Sequence, residues 1–146
     1  MSHTLTDLSR RMSNLIGLGT IAEVDHSSAR VRVDLNGRKT AWLPVPGEIG
    51  ANFRRWRPLR IGTQVVVVCP GGDPANAIIV QIIYSAALPP PDNRGNMDVI
   101  VFDDGTTIRH DSATHELTII SAGDLRLKAE GELWLDAQHI HVFEGG

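Results

Sequence analysis

The sequence has a single cysteine, Cys69, among its 146 residues. A lone thiol excludes an intrachain disulfide and fits folding in a reducing cytoplasm. It adjoins a valine run, so a buried structural thiol is expected rather than a nucleophile. No stretch of about 18 apolar residues occurs, which excludes a membrane-spanning helix. The opening stretch MSHTLTDLSRRMSNL lacks the apolar centre of a signal peptide. The expectation is a chain neither exported by such a peptide nor anchored by a helix. An excess of basic charge is missing too: the formal net charge is -3, so no overall field draws the chain to nucleic acid. No G-x-S-x-G motif and no Cys–His signature is present. The carboxylate pair Asp103-Asp104 precedes Gly105 and reads as a turn. These absences argue against an enzyme.

What is present suffices for a folded, soluble protein. Hydrophobic residues make up 42% and charged residues 21% of the chain, enough apolar surface for a core and too little charge for disorder. The length allows one ordinary domain, or a small domain with an appendage.

Residues 1–15 form an N-terminal arm. Leu5, Leu8, Met12 and Leu15 recur at helical spacing, Thr4 or Thr6 can cap the helix, and Gly17 and Gly19 end it. Such a helix either packs on its own domain or serves as a docking arm. Residues 16–88 read as β. Val31, Val33 and Leu35 alternate with Arg32 and Asp34, and Asn36-Gly37 follows as a hairpin turn. Trp42, Leu43 and Val45 make a short strand closed by Pro44, Pro46 and Gly47. The apolar runs Val65 to Val68 and Ala77 to Tyr84 predict strands buried on both faces. About five short strands with Gly/Pro turns fit a small barrel such as the OB-fold. Residues 89–96, PPDNRGN after Pro89, read as a linker, stiff at first and then flexible.

Residues 97–146 carry a different pattern. From His115 onward every charged residue falls on an even position: Glu116, Asp124, Arg126, Lys128, Glu130, Glu132, Asp136 and Glu144. The odd positions are apolar, small or histidine, which is the period of a strand. A period of eight lies over it, in the blocks ELTIISAG, DLRLKAEG, ELWLDAQH and IHVFEGG. Each block is a short strand plus a corner, the signature of a solenoid-like repeat. One chain of such blocks has nothing to pack its apolar stripe against. Left exposed, the stripe would aggregate. Identical neighbours around a shared axis bury it, with small residues at the corners letting backbones approach. Three chains in a narrow β-prism do this, and so does a dimeric sandwich.

In its order of parts the chain resembles the baseplate assembly protein V family, the central spikes of contractile-tailed phages, phage tail-like bacteriocins and related devices. The resemblance rests on GTQVVVVCPGGDPANAIIVQIIY in the OB-like part, then DDGTTIRHD, then the octads, then a C-terminal HIH. It implies an all-β homotrimer with an N-terminal OB-fold and a C-terminal intertwined triple-stranded β-helix. It implies a baseplate or bacteriocin particle as the location after synthesis in the bacterial cytoplasm. A hub protein would be met through the N-terminal domain, and a host outer membrane would be pierced when the sheath contracts.

His139 and His141 share the parity of the apolar stripe, so both are predicted to face the axis. In a trimer six imidazoles would converge, a costly arrangement unless a cation resolves it. Imidazole suits iron, zinc, nickel and copper, and six ligands disfavour zinc. The resemblance implies one octahedral iron per trimer. Such a metal would be structural, because no coordination position stays open. His3, His26, His110 and His115 lack this support and read as structural or exposed.

Two rival readings accompany this one. A non-piercing assembly hub shares the trimer and needs no metal. A nucleic-acid-binding OB-fold would use Arg54, Arg55, Arg57 and Arg60 with Phe53 and Trp56. The acidic net charge favours a solvated loop or a protein contact for that cluster, so no nucleic-acid partner is expected.

Overall fold

The structure, a computed structural model, describes residues 2–145, with side chains from Thr4 onward. It is mostly β with one helix and divides between Pro90 and Pro91 into two units.

The first unit opens with helix α1 (Ser2–Ser13). Asp7 binds Arg10 (2.6 Å) and Arg11 (3.1 Å) one turn on, spacings at which side chains meet on a helix. The Cys69 N–H donates to the Leu15 carbonyl (2.7 Å), tying the end of the arm to the domain. Strands β1 (Ile16–Asp25) and β2 (Arg30–Leu35) follow. Asn36 and Gly37 both have positive φ, 55° and 85°, as the predicted tight hairpin requires. The Gly37 N–H donates to the Asp34 carboxylate (2.8 Å) and locks the turn. β3 (Arg38–Lys39) and β4 (Leu43–Pro44) both pair with β2. β5 (Glu48–Ile49) and β6 (Arg54–Arg55) form a separate two-stranded ribbon. β7 (Gln64–Val68) and β8 (Ile78–Ile83) complete the main sheet, in the order β3-β2-β1-β7-β8.

The barrel predicted from sequence is not closed by hydrogen bonds. β4 approaches β8 without a ladder between them. β4 is only two residues long, and its Pro44 has no N–H to donate. The core is Ile21, Val31, Val33, Leu43, Leu59, Val65, Val67, Cys69, Ala77 and Ile79. Thr40 joins it because its hydroxyl is satisfied, accepting from the Val33 N–H (3.0 Å) and donating to the Ala41 carbonyl (2.7 Å). Gly19 is required where β1 crosses Val33: a Cβ there would stand 2.7 Å from the Asp34 carbonyl oxygen. Burial pushes the Cys69 thiol pKa up, and the nearby Asp73 charge adds to this. The thiol is thus an apolar core group, as its setting in the sequence suggested.

One expectation is corrected. The apolar runs are not buried on both faces. Val65 and Val67 are buried while Val66 and Val68 are half-exposed, and in β8 Ile79 is buried while Ile78 and Val80 are exposed. Val68 lies opposite both Ile16 and Ile78, and Val66 lies opposite Leu18. Paired residues share a face, so these side chains form an outer apolar surface that no layer of the same chain covers.

The second unit begins with a meander of β9 (Met97–Val101), β10 (Thr107–Asp111) and β11 (Glu116–Ile120). Asp103-Asp104-Gly105 is the β9–β10 turn. Gly105 has φ 92°, and Asp104 accepts from the Thr106 N–H (2.9 Å). Asp111 accepts from the Asn96 side chain (2.7 Å) and the Ala113 N–H (2.9 Å). Beyond Ile120 residues 121–145 pair with no strand of their own chain. Among the described residues of this unit no side chain is buried.

Candidate metal centre

Residues 121–145 bring their donors together through strand geometry alone. The His139 and His141 ring centroids are 6.4 Å apart, close to the repeat of two residues along an extended chain. The Phe143 ring lies 6.2 Å further on, parallel to His141 within 6°. His139, His141 and Phe143 therefore occupy one side of the chain, the side predicted from their odd numbering. Both histidines are exposed in the single chain and are open to approach by other copies.

One chain does not make a metal site by itself. Among the described residues no three His, Cys, Asp or Glu side chains come together. The donor set that one chain does offer is chemically uniform, two imidazoles with no thiolate or carboxylate on their side. That set suits a borderline transition-metal ion such as iron, provided that further copies complete the coordination.

The other histidines are placed elsewhere. His110 sits in β10 opposite Asp98 and Leu117. His115 takes φ 61° in the β10–β11 turn. His26 meets the Trp56 ring edge-on at 6.4 Å. The side chain of His3 lies outside the described residues.

Two features escaped the sequence reading. Phe143, taken only as a repeat position, aligns its ring parallel to His141 on the same side of the chain. On the opposite parity, charged residues alternate regularly as far as Glu132, after which Trp134, Ile140 and Val142 appear, all strongly exposed. The signal was in the sequence, since Trp134, Ile140 and Val142 interrupt the even-position charges, which recur at Asp136 and Glu144.

Of the predicted basic-aromatic cluster, Phe53, Arg54, Arg55, Trp56 and Arg57 lie at the β5–β6 ribbon. A cleft lined by Ala29, Glu48, Ile49, Arg54, Arg55, Trp56 and Arg57 runs beside it. Arg55 pairs with Glu48 at 3.7 Å, and the Phe53 ring lies on Gly50, where a Cβ would collide with it.

A six-stranded antiparallel sheet with this strand order defines an OB-like domain, here followed by a β-repeat tail that cannot bury itself. Residues 17–84 match the family described as the Type VI secretion system/phage-baseplate injector OB domain. The chain is also 30% identical over 129 residues, 88% of its length, to the spike protein of Escherichia phage P2. Both matches support the phage baseplate assembly protein V family. The match takes in 61% of the P2 protein's length.

Proposed function

We propose that this chain is one protomer of a homotrimeric central spike at the tip of a contractile-tail baseplate. Sheath contraction drives the spike through a host bacterial outer membrane. One observation carries the reading. Leu117, Ile119, Leu125, Leu127, Leu133, Leu135 and Phe143 are all exposed in the single chain, on the parity that also holds His139 and His141. Burying such a side chain is worth about 1.5–3 kcal/mol, and unpaired strand edges demand partners. Three copies wound about one axis into a triple-stranded β-helix satisfy both needs at once. His139 and His141 of each copy would then hold one iron near the chain end. The metal ties the chain ends together, so that its binding free energy stabilises the fold there. The role is mechanical rather than catalytic.

The outer surface fits the same reading. Charges at 124–132 keep the shaft soluble, while Trp134, Ile140 and Val142 make the leading end, which keeps Asp136 and Glu144, more apolar than the shaft. In the first unit, the uncovered face of β1, β7 and β8 is available to a neighbouring protomer or to a baseplate hub.

The test is mass and metal content on fresh, untagged protein. A trimer holding about one iron per three chains is expected. A trimer free of metal would remove His139 and His141 from the site and leave a non-piercing assembly hub. A stable monomer would overturn the spike. A nucleic-acid role rests on the Arg54, Arg55 and Arg57 cleft, and absence of a single-stranded DNA shift at low salt removes it.

A further inference from the structure

Helix α1 leaves its apolar stripe uncovered. Leu5, Leu8 and Met12 are 70%, 54% and 64% exposed. Leu15, in the turn that closes the helix, continues the series. The helix is not loose: the Cys69 N–H holds the Leu15 carbonyl, and Gly72 lies against the Arg11 backbone and Asn14. The arm is thus anchored by its Arg11 and Asn14 side while its leucines face away from any layer of their own chain.

The shape of the stripe indicates what covers it. The spacings are three, four and three, which places Leu5 and Met12 at one seam position of a heptad and Leu8 and Leu15 at the other. Thr4, Ser9 and Arg11 beside the seam are polar. A helix that packs on a sheet shows a wide apolar face, about 100° or more, whereas a two-position seam is the narrow stripe of a coiled coil. The stripe is therefore complementary to itself rather than to the broad outer face of β1, β7 and β8.

We infer that the α1 helices of neighbouring protomers pack against one another through Leu5, Leu8, Met12 and Leu15 as a short parallel coiled coil capping the assembly. The inference rests on the trimer proposed above. A helix of 12 residues is marginal alone in water, where about 12–15 are needed. Anchoring of each arm to an already joined protomer raises the local concentration to roughly millimolar and removes that obstacle.

Cysteine cross-linking on the full chain tests it, since Cys69 is buried. Leu8→Cys is placed in the seam, and Arg10→Cys on the far side serves as the comparison. Three thiols about one axis can form one disulfide pair, so mild oxidation of Leu8→Cys should link about two thirds of the chains as dimers. Arg10→Cys should stay unlinked. Native mass of both variants is read in parallel. Trimers that link at neither position would overturn the seam and leave the spike standing. Equal linking at both positions would show arms in random collision and also overturn it. Monomers in both variants would remove the trimer, and the seam with it.

Discussion

The two units use the same strand alphabet and reach opposite results. In the first, alternating residues such as Ile21, Val31, Val33, Val65 and Val67 close a core. In the second, alternation is stricter, yet no described side chain is buried. The difference lies in the connections. The 26–29 turn folds β2 back beside β1, and Asn36-Gly37 then returns β3 beside β2, whose first residues also pair with β4. After Ile120 the chain bends at 122–123, 130–131 and 138, a spacing of eight, and no reversal returns a strand to its neighbour. Reversal alone is not enough, since the β9–β11 meander turns back twice and stays one layer, whereas the first unit also brings β4 toward β8 over a shared core. A segment that only advances has no such second layer within its own chain. The stability of the first unit is then intramolecular, while in the proposed spike that of the second would be coupled to assembly and depend on concentration.

Five predictions break or sharpen this contrast. Leu127→Glu should have the largest effect, because it puts a charge on the proposed axis in every copy. An unpaired buried charge costs several kcal/mol, so loss of the trimer is expected by light scattering, whereas Lys128→Glu should leave it intact. Equal behaviour of the two would sink the parity assignment. Next, joint replacement of His139 and His141 by alanine should abolish bound iron in elemental analysis while the OB-like domain melts unchanged. Leu43→Ala reverses the contrast. It should cost the first unit about 2–5 kcal/mol in urea denaturation and leave assembly of the second unmoved. Gly19→Ala should cost about 1–3 kcal/mol by overpacking against Val33 and the Asp34 carbonyl, read as a lower midpoint in the same titration.

The smallest effect concerns acid. The Asn96 side chain, then the Ala113 N–H, hold the Asp111 carboxyl below its ordinary value of 3.8. A carboxyl whose pKa is depressed on folding stabilises the folded form above its unfolded value. That contribution falls away as the pH drops through the unfolded value toward the folded one. In an NMR titration Asn96→Ala should therefore move the Asp111 midpoint upward, toward 3.8, and leave the OB-like domain's acid response as it was. A midpoint that stays put would show that the Ala113 and Thr114 donors set it without Asn96.

Much of the fold was legible because it is local. The Asn36-Gly37 turn needs positive φ at both residues, and few other residue pairs tolerate that. The turn at Gly105 and the inert setting of Cys69 follow from near neighbours in the same way. The parity of His139 and His141 was legible because an extended chain has only two sides. The burial of Val65–Val68 was over-read. A continuous apolar run says that both faces are apolar, and it is silent on what covers the second. The open barrel was missed because closure depends on how many ladder bonds β4 can make, and that number is set by the position of Pro44. The exterior formed by Trp134, Ile140 and Val142 was overlooked because the charge alternation nearby dominated the pattern.

Taken by itself, the sequence determined the β periods, the hairpin, the octads and the shared side of the two imidazoles, since each depends on bond geometry over a few residues. Only the tertiary structure decided which apolar faces the chain covers for itself. Burial is a relation between segments far apart in the chain, and here it leaves the α1 stripe, the outer face of β1, β7 and β8, and the whole octad stripe uncovered.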